Sequence, residues 1–298
     1  MKKLNKFLKI TSIFILLLLS NQLIAQTNTS ATQTVCVGST GEPYLIPTPT
    51  TGSIFNWTIS SGGTIASGNG TNQIAVDWGN TAGGPHTITV TETDAFGCIG
   101  ADVTVVVTLT DAATANAGSP DNVCAGNAYS VISATATNYS VISWTSTGTG
   151  TFVGGTTLTP TYTPSAADIA AGNVTLTLTA LGNSPCSDAT SAMVLTIIPA
   201  PTAYAGPDDA ICEGIPYVFV SGPTTTNSTV VLWSTSGDGT FTGGTTLTPT
   251  YTPGTVDIAN GTVNLTITAT GTAPCTTIAN TMTLTINPTP LTGPINHW

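Results

Sequence analysis

The chain has 298 residues, enough for two or three domains of ordinary size, and only 6% of them are charged. Its four basic residues are Lys2, Lys3, Lys6 and Lys9, so beyond them the chain carries 14 acidic side chains and no Lys or Arg. That balance excludes binding to nucleic acid or to an anionic membrane surface, both of which rest on basic side chains.

The first segment reads as an export signal, residues 1–25. Its lysines precede an apolar run, Ile10 to Leu19, about half the length a membrane helix needs. Cleavage is predicted after Ala25, leaving Gln26 first. No later stretch is apolar enough to span a membrane. Gly and Pro are frequent (31 and 19), and Thr, Val and Ile are the side chains of strands. The composition predicts an all-β protein.

Internal repetition organises the rest of the chain. Cys36, Cys98, Cys124, Cys186, Cys212 and Cys275 alternate at spacings of 62, 26, 62, 26 and 63 residues. Trp57, Trp144 and Trp233 follow the first cysteine of each pair by 21, 20 and 21 residues. This predicts three units of about 88 residues: 26–112, 113–200 and 201–288, with a tail at 289–298. Paired cysteines in an exported chain point to disulfides, and the repeat suggests one per unit: Cys36–Cys98, Cys124–Cys186 and Cys212–Cys275. A zinc site would want closely spaced Cys or His, and none occurs.

Within the second unit, alternation predicts strands at 129–137, 140–145, 156–162, 174–180 and 193–197, separated by Gly, Pro, Asn and Ser turns. Between Pro164 and Gly172 a helical turn is expected, with Ser165 as its N-cap and Asp168 closing a capping box. Pro253, Asp257 and Gly261 repeat it in the third unit. Trp57, Trp144, Trp233 and Trp78 are expected to face the core. Seven or so short strands about a central Trp predict a β-sandwich in each unit.

The Cys…Trp…Cys order resembles the immunoglobulin superfamily, with the bridge displaced towards one end of the sandwich. In the first unit, Gly52-Ser-Ile-Phe-Asn-Trp57 and His86-Thr-Ile-Thr-Val-Thr-Glu-Thr-Asp-Ala-Phe-Gly-Cys98 resemble PKD-like domains, although the Trp-x-Phe-Gly-Asp-Gly signature is absent. The openings of the later units, Asn116-Ala-Gly-Ser-Pro-Asp-Asn-Val-Cys124 and Tyr204-Ala-Gly-Pro-Asp-Asp-Ala-Ile-Cys212, resemble repeats of large surface adhesins and gliding-associated proteins of the Bacteroidetes. The resemblance implies a secreted protein at the outer cell surface or in the extracellular space, with type IX secretion as an exit route.

No catalytic constellation is legible. The histidines, His86 and His297, stand in a turn and near the end of the chain, and no nucleophile elbow, metal-binding His pair or phosphate loop is present. No cofactor is expected. The acids best placed to hold calcium are Asp121, Asp208 and Asp209 at the unit junctions, with Asp238 in a turn. They are read instead as turn residues that satisfy local backbone amides. The tail from Asn287 to Trp298 has three prolines in its first eight residues, and its last part, Leu291 to Trp298, carries Ile295 and Trp298, which suits docking as an extended peptide. The sequence therefore predicts a non-enzymatic structural or adhesive module, a semi-rigid rod of sandwiches with a protein partner at the outer membrane or in a surface assembly. A secreted protein recognising a glycan or protein ligand through its loops is the alternative.

Overall fold

The structure, a computed structural model, describes residues 32–220, 222–291, 293–295 and 297. The expected export signal and Trp298 lie outside the described residues. By contact the chain divides into two units, one running to Ala112 and including Gly182–Ser187, the other formed by Ala113–Leu181 and the chain from Asp188 onward.

The first unit contains one sandwich. Thr32–Cys36 runs parallel to Val103–Thr110, which pairs with Gly83–Thr93, which in turn pairs with Ile54–Ile59. The second sheet places Gln73–Trp78 between Glu42–Leu45 and Gly63–Ser67. Alternation decides which face is buried. In Gln73–Trp78 the inward residues Ile74, Val76 and Trp78 are buried and the intervening ones are not. They meet Trp57, Ile88, Val90, Val107 and Leu109 in one core.

The second unit contains two sandwiches built on the same plan. In one, the sheet order is Tyr139–Ser146, Asn173–Gly182, Ala189–Ile198, Asp121–Cys124, and in the other it is Ser228–Thr235, Thr262–Gly271, Thr277–Asn287, Asp209–Cys212. In both, the short first strand again runs parallel to the last. Each has its own core, and these match position by position: Tyr162 with Tyr251, Leu176 with Leu265, Met193 with Met282 and Ile197 with Ile286. Asn173–Gly182 buries Val174, Leu176, Leu178 and Ala180 and turns its threonines outward, as its alternation requires.

The strand expected at 129–137 is divided. Tyr129–Ser130 joins Thr161–Thr163, whereas Thr135–Thr137 pairs with Thr114–Asn116. The strand expected at 156–162 begins later, at Thr161, because Gly154 to Thr157 closes a turn through Thr157 N–H to the Gly154 carbonyl.

All four expected core tryptophans are buried. Three of them share one bond: the indole N–H donates to the carbonyl of Thr71 from Trp57 (2.8 Å), of Thr157 from Trp144 (3.0 Å) and of Thr246 from Trp233 (3.1 Å). A buried Trp usually finds such a partner, and here it ties the Trp strand to a loop of the facing sheet; the indole N–H of Trp78 has no hydrogen-bond partner among the described residues.

Candidate functional site

The cysteines are paired differently from the sequence expectation. Cys36 bonds Cys186 and Cys124 bonds Cys275, with Cα atoms 5.1 and 4.9 Å apart, while Cys98 and Cys212 are exposed free thiols. None of the pairs Cys36–Cys98, Cys124–Cys186 and Cys212–Cys275 forms. The reason is strand direction. Cys36 ends the first strand beside Thr110, the last residue of Val103–Thr110, whereas Cys98 lies in the loop before that strand starts. Eight residues at ~3.3 Å each put the two cysteines roughly 25 Å apart along the sandwich, and a disulfide needs Cα atoms within about 7 Å. The same holds for Cys124, beside Ile198, and Cys186, in the loop before Ala189–Ile198.

Both bridges use one seat. The first-strand cysteine ends its strand, and the next residue donates its N–H to the terminal carbonyl of the last strand: Val37 to Thr110 (3.0 Å) and Ala125 to Ile198 (2.8 Å). The sulfur of the incoming loop cysteine rests on that same carbonyl, Cys186 Sγ at 3.5 Å from Thr110 O and Cys275 Sγ at 3.6 Å from Ile198 O. The incoming cysteine belongs to the loop between the last two strands of the following repeat. Each bridge therefore ties a repeat's first strand to the next repeat's final hairpin.

The predicted helical turn is present as Ala166–Ala171, capped by Ser165, with Gly172 closing it in a left-handed conformation. The capping box was legible, but the wider role of Asp168 was not. Its carboxylate is buried and accepts hydrogen bonds from Tyr162 Oη (2.7 Å), Gly150 N–H (2.9 Å), Thr149 N–H (3.0 Å) and Ser165 N–H (2.9 Å). Burial, the largest influence, pushes its pKa up. The Ser165 N–H, the Tyr162 hydroxyl and the Thr149 N–H outweigh it and bring the carboxyl down to about 2. Asp257 repeats the arrangement with Tyr251 Oη (2.6 Å), Gly239 N–H (3.0 Å), Asp238 N–H (3.3 Å) and Gly254 N–H (3.0 Å). Burial and the bond to Asp257 push the Tyr251 hydroxyl up to about 12. The available signal was the paired glycines of Thr147-Gly-Thr-Gly150 and Ser236-Gly-Asp-Gly239. A Cβ at Gly148 or Gly237 would run into the Asp168 or Asp257 carboxylate.

The third repeat changes the cap itself. Gly254 stands where Ser165 stood and has no side chain to offer. Asp238, in the place of Thr149, reaches across instead. Its carboxylate accepts from Val256 N–H (3.1 Å) and Asp257 N–H (3.2 Å), the N-terminal amides of the helix Thr255–Asn260. Those bonds hold the Asp238 carboxyl below the usual range. A Cβ at residue 254 would strike that carboxylate, so the two positions change together.

The other expected site residues are engaged within the fold, Asp121 and Asp209 by neighbouring amides as expected and Asp208, contrary to expectation, by an amide of the last strand. Asp121 accepts from Asn122 N–H (2.8 Å) and Tyr129 Oη (3.0 Å), Asp209 from Ala210 N–H (2.8 Å), and Asp208 from Thr283 N–H (2.7 Å). Among the described residues no group of three or more His, Cys, Asp or Glu could hold a metal ion. His86 lies within Gly83–Thr93, with Nδ1 3.0 Å from Ser61 Oγ and its ring 6.0 Å from that of Trp78. Together with Asp77 and the glycines 62, 63, 83 and 84 they line an open cleft of about 540 Å³. In the tail, Leu291 and Ile295 are fully exposed. No helix among the described residues is long and apolar enough to cross a membrane.

Residues 22–107 match the family model of the PKD-like domain. No curated protein matches the sequence. Among solved structures, the chain is similar to the I-band fragment I67–I69 of titin, at 14% identity over 87% of this chain and 96% of that one, with a TM-score of 0.48. It is also similar to domains EC1–4 of Drosophila N-cadherin, at 14% identity over 86% of this chain and 73% of that one, with a TM-score of 0.35. The chain is an all-β array of tandem sandwiches, and the PKD-like match covers the first of them. The first strand parallel to the last, a buried Trp across the sheets and two facing sheets recur in every repeat.

Proposed function

We propose that this is a secreted, non-enzymatic structural or adhesive protein of the cell surface, with three modules at about 26–112, 113–200 and 201–288 held as a semi-rigid array. The observation that carries the proposal is the bridge pattern. Both disulfides join a first strand to the final hairpin of the following repeat, 150 and 151 residues on. A bridge inside one sandwich stabilises that sandwich alone, whereas bridges between successive repeats resist separation of the modules, as a load on a tether would demand. The disulfides also fit an oxidising location outside the cytoplasm. The chemistry is that of a tether: the buried aspartates are consumed by internal amides and hydroxyls, and their carboxylates face the fold rather than a substrate.

Antibody labelling of intact cells, together with surface attachment by a strain lacking the protein, tests this reading. Labelling without permeabilisation and a loss of attachment are expected. Labelling that requires permeabilisation overturns it. The cleft beside Trp78, Asp77 and His86 favours a second reading, a loop-based receptor for a glycan. Specific binding on a glycan array, abolished by Asp77→Ala, would establish that reading in place of the first.

A further inference from the structure

The two bridges leave one cysteine of each kind unpaired. Cys212 is a first-strand cysteine, equivalent to Cys36 and Cys124, and Cys98 is a hairpin-loop cysteine, equivalent to Cys186 and Cys275. We propose that Cys212 of one molecule forms a disulfide with Cys98 of a second copy of this chain, so that the protein assembles head to tail as a covalent polymer. The inference goes beyond the surface role proposed above and does not depend on it.

The seat at Cys212 is already built. Glu213 donates its N–H to the carbonyl of Asn287 at 2.8 Å, as Val37 does to Thr110 and Ala125 to Ile198. Cys212 pairs in register with Asn287, as Cys36 does with Thr110 and Cys124 with Ile198. The following turn also closes in the same way: Ser39, Asn127 and Ile215 each donate their N–H to the carbonyl of the cysteine three residues earlier. The seat is thus occupied by a loop cysteine at two of its three occurrences. At Cys98, Asp94 fixes the loop by accepting from Phe96 N–H (2.9 Å) and Cys98 N–H (2.8 Å), so the thiol is held in a defined turn at the surface.

Three neighbours of the two free thiols are larger and more apolar than their counterparts at the bonded cysteines, although Glu213 stands where Val37 and Ala125 do. Phe96 and Ile99 flank Cys98 where Ser184 and Ser187 flank Cys186, and Ala273 and Thr276 flank Cys275. Ile215 follows Cys212 where Ser39 follows Cys36 and Asn127 follows Cys124. These three large apolar side chains are 93%, 75% and 56% exposed. A bridge between repeats of one chain forms at high effective concentration and needs little help from its surroundings. A bridge between molecules has to be preceded by association, and exposed apolar side chains on both partners supply it. The contact is heterologous, since the surface at Cys212 differs from that at Cys98, and such contacts propagate into open chains or rings.

Bond formation is an oxidation. Cys212 S–H and Cys98 S–H each give up a proton and together give up two electrons to a disulfide oxidant, such as oxidised glutathione, which leaves as two thiols. Neither internal bridge is broken.

The test uses the secreted full chain with Cys98→Ser and Cys212→Ser variants made singly, oxidised by glutathione disulfide and read on non-reducing gels. Expected are a ladder of oligomers from the wild type that collapses on reduction, little dimer from either variant alone, and a strong single dimer from their mixture. Isotopic labelling of one variant should show the bridge linking Cys98 of one molecule to Cys212 of the other. Phe96→Ser with Ile99→Ser should slow the ladder several-fold with Cys98 intact. Intact mass with two internal bridges and unchanged Trp fluorescence confirm that each variant is folded. Dimers of a single variant as abundant as mixed dimers, a Cys98–Cys212 bridge within one molecule, or both thiols ending as glutathione adducts would each overturn the proposal.

Discussion

Replacing Asp168 by Ala removes the acceptor for four donors at once. The Gly150 N–H, the Thr149 N–H, the Ser165 N–H and the Tyr162 hydroxyl all point at its carboxylate from 2.7 to 3.0 Å. A donor left buried without a partner costs about 1–3 kcal/mol. Tyr162 is buried, Gly150 and Ser165 are half-buried and Thr149 is exposed, so the backbone amides recover part of their loss from water and the second sandwich should lose about 4 kcal/mol. Urea unfolding followed by Trp fluorescence reads this as a midpoint lowered by roughly 2–3 M for that transition, with its slope retained. Tyr162→Phe, which removes one donor and leaves the acceptor, should cost about 1 kcal/mol. The pH dependence carries the sign. A carboxyl whose folded pKa lies near 2, below its unfolded value, contributes stability that is complete above pH 4 and disappears as pH falls through 2. The gap between wild type and Asp168→Ala should therefore narrow from pH 5 to pH 2. A loss below about 1 kcal/mol, or a gap that stays constant over that pH range, would refute the assignment of the network.

Other perturbations probe the same geometry. Gly254→Ser should destabilise the third sandwich by about 1–3 kcal/mol through collision with Asp238, and Asp238→Thr in the same chain should recover most of that loss, which a double-mutant cycle measures. Deleting residues 291–298 should leave melting unchanged, because Leu291 and Ile295 are fully exposed; if the tail is a recognition peptide, the truncated chain folds yet fails to reach the surface. Calcium at 1 mM should not raise the melting temperature. A site of micromolar affinity would add about 4 kcal/mol, so a clear rise abolished by Asp208→Ala with Asp209→Ala would overturn the reading of these acids as engaged within the fold.

Much of the fold was legible in the residues. The cysteine and tryptophan spacings marked the repeats, the threonine alternation of 173–182 marked a strand buried on one face, and Ser165 with Asp168 marked a capped helix. What the sequence left open was direction. Equal spacing between Cys36 and Cys98 and between Cys124 and Cys186 suggested bridges within repeats, yet spacing says nothing about which end of a sandwich a residue occupies. Only the parallel pairing of Thr32–Cys36 with Val103–Thr110 carries Cys36 away from Cys98 and towards the following repeat. The division of 129–137 between two sheets has a similar origin, since its residues suit either partner and tertiary pairing decides. The repeat of the helical turn at Pro253, Asp257 and Gly261 was legible, but not that Gly254 replaces the capping serine and that Asp238 supplies the cap from a distant turn.

Single-molecule extension separates bridges between repeats from bridges within them. In a Cys98→Ser/Cys212→Ser chain stretched until every sandwich has unfolded, the taut path from Cys36 to Cys275 crosses to Cys186, returns to Cys124 and crosses again to Cys275. That path contains 62 residues, about 220 Å at ~3.5 Å each. Bridges confined to single repeats would leave only Cys124–Cys186 intact in the same variant, and 177 residues, about 620 Å, would pay out. Bridges between repeats give the short extension, lengthening only when reductant is added; the long extension without reductant would contradict the pairing of Cys36 with Cys186 and Cys124 with Cys275.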